Sequence, residues 1–118
     1  MGYESRIYVV NKTSLAENDG KKYAQLIARF DMSKMGGFDD LFKKETDCYV
    51  FADDGNTKIE TDAYGDRLKE ASVEDVIEYL DTFEKTQDYY RRIHPLLGCL
   101  QSFNPSDWEG LVVLHYGY

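Results

Sequence analysis

Apolar positions recur along this chain with two periods, and the change from one to the other divides it into elements. Ser5 to Thr13 contains Arg6-Ile7-Tyr8-Val9-Val10, a run rich in β-branched and aromatic residues that predicts a strand buried on at least one face. Asn11 to Lys22 is polar, with turn chemistry in Asn18-Asp19-Gly20. From Tyr23 to Met32, Leu26, Ala28, Phe30 and Met32 alternate with Gln25, Ile27, Arg29 and Asp31, as in a strand. Tyr23, Ile27 and Phe30 also satisfy helical spacing. A strand is preferred because it closes a hairpin with the first run, and Ile27 is then the exception on its polar face.

Ser33 to Lys44 holds a Gly36-Gly37 break followed by Phe38, Leu41 and Phe42, which predicts one or two helical turns. Asp47 to Ala52 and Thr57 to Thr61 are β-prone runs around Asp53-Asp54-Gly55-Asn56, a hairpin signature because the tight turn needs the positive φ that Gly and Asn tolerate. Tyr64-Gly65-Asp66 ends that unit. Ser72-Val73-Glu74-Asp75 fits a helix cap. Val73, Val76, Ile77, Leu80 and Phe83 then share one face, and Glu74, Glu78 and Asp81 lie opposite within about 60° of one another. After Thr86-Gln87-Asp88, a second apolar stripe runs through Tyr89, Ile93, Leu96, Leu97, Leu100 and Phe103, with Pro95 on its solvent side imposing a kink or break. Asn104 to Asp107 is a turn, and Leu111 to Tyr116 is apolar enough for a central strand. The expected fold is one α+β domain over residues 1–118, a single mostly antiparallel sheet of about five strands with two helices packed on one face.

Charge sharpens this outline. The chain has 118 residues, enough for one core, and a formal net charge of −8. Residues 41–90 hold 14 Asp+Glu against 6 Lys+Arg, which accounts for the whole excess. A chain with 22 acids and 14 bases is poorly suited to neutralising phosphates, so direct nucleic-acid binding is not expected. No apolar run reaches the roughly 18 residues of a membrane span, and Met1 to Arg6 lacks a basic-then-apolar leader. A soluble, cytoplasmic protein with free thiols at Cys48 and Cys99 is the expectation.

Catalytic patterns are missing from this reading. Asp53-Asp54-Gly55-Asn56 lacks the alternating ligands and the distal Glu of a calcium loop. His94, Cys99, His115 and Cys48 show none of the short paired spacings of zinc sites, so no metal is expected. Cys99 sits at the edge of an apolar stripe and His115 within an apolar strand, placements that suit packing better than chemistry. No Ser-His-Asp order, phosphate loop or dinucleotide fingerprint occurs, so neither an enzyme nor a cofactor is expected.

The carboxylates themselves are the candidate. Glu70, Glu74 and Glu78 are spaced by four and Asp81 follows at three, spacings at which each like-charge pair disfavours a helix by about 0.2–0.5 kcal/mol. A solvated face explains such a ridge as a solubility device; a basic partner explains it as a recognition surface. Asp53, Asp54, Glu60 and Asp62 on the hairpin form a second acidic patch. Ten tyrosines exceed what one small core needs, and Tyr64 and Tyr90, outside the apolar stripes, are expected at an interface, as is the terminal Tyr118.

Three stretches carry a resemblance: Met1-Gly2-Tyr3-Glu4-Ser5-Arg6-Ile7-Tyr8-Val9-Val10, Tyr49-Val50-Phe51-Ala52-Asp53-Asp54-Gly55-Asn56-Thr57, and Leu111-Val112-Val113-Leu114-His115-Tyr116-Gly117-Tyr118. Together they resemble small uncharacterised proteins of phages and prophages in Gram-positive bacteria. The resemblance transfers no catalytic residue. It implies a context in which small acidic proteins disable host nucleases, glycosylases or CRISPR effectors, sometimes by imitating DNA charge. The expectation is therefore an inhibitor or modulator that occludes the cationic groove of a basic, nucleic-acid-handling host protein, acting in the host cytoplasm. The rival expectations are a small-ligand binder, with tyrosines and His115 lining a pocket, and an assembly module that forms a homodimer.

Overall fold

The computed structural model describes residues 5–18, 20–32, 41–51, 58–61, 65, 67–87 and 89–117. Seven strands form one sheet: β1 (Ser5–Asn18), β2 (Lys21–Asp31), β3 (Lys44–Glu45), β4 (Tyr49–Phe51), β5 (Lys58–Ile59), β6 (Lys69–Ala71) and β7 (Leu111–Gly117). Their order is β3-β6-β7-β1-β2-β4-β5, antiparallel throughout except where β2 meets β4. β1, β2, β4, β5 and β7 are the expected five; β3 and β6 are additional. The predicted helical turns over 33–44 end instead in β3, and 33–40 lie outside the described residues. Helix α1 (Val73–Leu80) follows β6, and a π turn (Tyr89–Ile93) leads into α2 (His94–Gln101). The architecture is α+β, with both helices on one face.

The order forces the sheet to curl. β3 and β4 are five neighbours apart in the sheet, about 24 Å if it were flat. Only Thr46, Asp47 and Cys48 join them, a stretch that spans at most about 14 Å. The two ends of the sheet must therefore approach each other. An antiparallel bridge between Thr61 and Arg67 joins them, and Arg67 adds a hydrogen bond from Nη2 to the Thr46 carbonyl (2.7 Å) and a cation–π contact with the Tyr49 ring (4.5 Å). Curling creates a second core inside the sheet, made of Tyr8, Val10, Ala24, Val50, Leu68 and Leu114 among others. The helices cover the outside, where Val73, Val76, Leu80, Ile93, Leu96 and Leu100 pack on Ile7, Val9 and Val113. β7 is central, as its apolarity predicts, with Val112 to His115 all buried.

One residue divides the alternation of β2 between these cores. Val9 pairs with Ala28 and Val10 with Leu26, so Ile27 is an extra residue in the ladder. A one-residue bulge inverts the face of everything beyond it. Ala28 and Phe30 accordingly pack under the helices, whereas Leu26 and Ala24 face the inner core. This is why Ile27 interrupts the polar face and is 42% exposed. A larger excursion lies between Asn11, opposite Gln25, and Ala16, opposite Tyr23, which puts Lys12 to Leu15 out of register. Asn11 Oδ1 holds it, accepting from Thr13 N (2.8 Å) and Thr13 Oγ1 (2.6 Å).

An eight-residue helix is too short to persist on propensity. Full burial of Val73, Val76 and Leu80 supplies about 5–9 kcal/mol, against about 1 kcal/mol from the cap in which Ser72 Oγ accepts from Asp75 N (3.1 Å). The second helix resolves its proline by widening. Pro95 cannot donate to the carbonyl four residues back, and the π turn over Tyr89–Ile93 ends just before it, leaving Pro95 in the first turn of α2.

Candidate functional site

Among the four carboxylates of the predicted ridge, three lie together. Glu74, Glu78 and Asp81 are exposed on the solvent side of α1, with Asp75 exposed beside them. No salt bridge engages any of these four among the described residues, and the last turn of α1 contains no basic residue. Glu74 and Asp75 sit in the first turn, where the helix dipole favours them; Asp81 is the C-cap, where the dipole opposes it.

Glu70 corrects the predicted ridge. It belongs to β6, two residues before the Ser72 cap, and it pairs with Leu114 of β7 and Lys44 of β3. Its side chain turns toward Lys12 and Lys44 and is only 5% exposed. Lys12 Nζ reaches it from the β1 excursion (3.4 Å to Oε2) and Lys44 Nζ from β3 (3.1 Å to Oε1). The Glu70 carboxylate 3.1 Å away holds the Lys44 ammonium above its ordinary pKa. The regular spacing of Glu70 with Glu74 misled because an unrecognised strand lies between the hairpin and the helix. A Lys-Glu pair at 69–70 beside Ala71 offered no strand signal.

The second acidic patch is also partly engaged. Glu60 accepts from Tyr23 Oη (2.6 Å) and Lys21 Nζ (3.0 Å), and the latter hydrogen bond raises the Lys21 pKa. Lys21 also stands 5.2 Å from the Tyr49 ring, so Glu60 belongs to the cluster at the closure of the sheet. Asp53, Asp54, Asp62, Tyr64 and Tyr118 lie outside the described residues. Tyr90 is 55% exposed on the π turn, its ring edge-on to Tyr89 and 5.7 Å from that of His94.

A cleft of about 550 Å³ opens at the rim of the sheet, between the β1 excursion, the segment before β3, the end of β6 and the 3₁₀ turn Pro105–Gly110. Sequence reasoning missed it, since only the curl brings Lys12, Lys44, Glu70 and Trp108 together. It is not the tyrosine-lined pocket expected of a ligand binder. No tyrosine lines it, and His115 lies elsewhere, buried and stacked on Phe42 at 5.2 Å between ring centres. Cys48 is buried and Cys99 half-buried, and burial pushes the Cys99 thiol above its usual pKa. Among the described residues no group of three or more His, Cys, Asp or Glu is placed to hold a metal ion, and no helix is long and apolar enough to cross a membrane. Comparison with family models, curated proteins and solved structures found no match, so both surfaces are read from their own chemistry.

Proposed function

We propose that this protein acts by binding a basic macromolecule, as an inhibitor or modulator that seats the acidic face of α1 in the cationic groove of a nucleic-acid-handling protein. The observation that supports this reading is the row Glu74, Glu78 and Asp81, exposed and free of salt bridges among the described residues on a helix with no compensating cation in its last turn. Moving Glu70 off the helix leaves three like-charge pairs, Glu74–Glu78, Asp75–Glu78 and Glu78–Asp81, at a cost of about 0.6–1.5 kcal/mol, and Asp81 adds an unfavourable dipole contact. Clustered acid of this kind speeds association with a basic surface and rejects acidic ones. The protein is read as a binder and not a catalyst, acting in the cytoplasm of a bacterial host as the phage resemblance implies, with a CRISPR effector or nuclease as the class of target. Tyr90, 55% exposed, is an aromatic side chain available to add apolar contact.

The test uses the protein as bait in a Gram-positive bacterial lysate beside Glu74→Lys/Glu78→Lys/Asp81→Lys. A nucleic-acid-binding protein retained by the wild type, lost with the triple variant and displaced by duplex DNA supports the reading. Equal retention by both baits, or an unchanged salt dependence of the measured affinity, refutes it.

A further inference from the structure

At the floor of the rim cleft two lysines converge on one buried carboxylate. Lys12 and Lys44 both contact Glu70, whose side chain is 5% exposed, so one negative charge faces two positive ones. Lys43 lines the same cleft and adds a third ammonium. Placing the first of these here requires the irregularity in β1, which takes Lys12 out of the ladder with β2. Bulges commonly re-aim a side chain in this way. Asp75 and Glu109 also line the cleft and are exposed, as Lys43 and Lys44 are, so its six charged side chains sum to zero and only the floor, where the buried Glu70 faces Lys12 and Lys44, is weakly screened. The remaining wall is apolar, formed by Leu41, Leu111 and the indole of Trp108. Its volume of about 550 Å³ lies within the range of small-molecule sites.

We propose that this cleft binds a small aromatic monoanion, its carboxylate or phosphate group between Lys12 and Lys44 and its ring against Trp108. The anion completes a two-by-two charge arrangement at the floor, and the ring buries apolar surface that the open cleft leaves wet. This site is independent of the proposed basic partner: the α1 ridge residues Glu74, Glu78 and Asp81 do not line it.

Trp108 is the chain's single tryptophan, so its fluorescence reports on the cleft directly. Titration with benzoate and with methyl phenyl phosphate, monoanions that separate carboxylate from phosphate ligands, should give a saturable one-to-one change with at least one of them. Benzyl alcohol and acetate should bind at least about tenfold more weakly. Lys44→Ala should weaken the preferred anion by about tenfold or more while leaving the circular dichroism unchanged, because that side chain is 71% exposed. The proposal is overturned if neither aromatic anion gives a saturable change at millimolar concentration. It is equally overturned if benzyl alcohol or acetate binds as tightly, or if Lys44→Ala binds like the wild type.

Discussion

Removing both lysines that face Glu70 should destabilise the protein far more than removing Glu70's charge. In Lys12→Met/Lys44→Met the carboxylate, in a residue 6% exposed, keeps its burial and loses both cations. Stranding a buried charge costs about 3–5 kcal/mol, and the low end applies because the cleft admits water. At about 4 °C per kcal/mol for a domain of this size, the melting temperature at neutral pH should fall by about 12 °C. Glu70→Gln alone should cost only about 1 kcal/mol, since both ammonium groups reach solvent while the amide keeps most of the packing. Adding Glu70→Gln to the double variant should restore most of the loss. Thermal unfolding followed by circular dichroism across these four proteins measures the coupling. A double variant melting within about 2 °C of the wild type would refute the placement of Glu70 as a buried, lysine-dependent carboxylate.

Three further outcomes follow from single groups. Tyr8→Phe removes a phenol buried without a hydrogen-bond partner among the described residues and should be neutral or stabilising, whereas Tyr23→Phe breaks the 2.6 Å bond to Glu60 and should cost about 1.5–3 kcal/mol by urea denaturation. Asp81→Asn should stabilise α1 by about 0.5 kcal/mol through relief of like charge and dipole while weakening partner binding, a trade visible when melting and binding are measured on one preparation. The raised pKa values of Lys21 and Lys44 mean that the folded state holds these protons more tightly than the unfolded state does. Their stabilisation is fully present below the ordinary value of 10.5 and is lost as pH rises through the higher folded values, so an alkaline melt should lose its Lys21 share in Glu60→Gln.

Local signals made much of this fold legible, and topology concealed the rest. The Ser72 cap, the apolar face of α1 and the central β7 were readable because each rests on residues close in sequence. The break at Pro95 was readable for the same reason, although its form as a π turn was not. β3 and β6 were not legible: two- and three-residue strands of mixed polarity exist only because the curled sheet supplies their neighbours. The stripe Leu26, Ala28, Phe30 and Met32 looks like one buried face, and the bulge at Ile27 assigns it to two cores. The same limit affected the candidate site. Glu74, Glu78 and Asp81 were placed together by helical spacing alone, whereas Glu70 was placed with them only because the intervening strand went unseen. Glu60 reads as a free acid until the closure brings Lys21 and Tyr23 to it.

The proposed recognition of a basic partner rests on acid on α1 and not on acid in general. Once a partner is captured, its affinity should be measured against salt for the wild type, for Glu74→Gln/Glu78→Gln/Asp81→Asn and for Glu60→Gln. Binding should be weaker and its salt dependence shallower for the α1 variant, with Glu60→Gln close to the wild type. Equal loss in both variants, or none in the α1 variant, would contradict it.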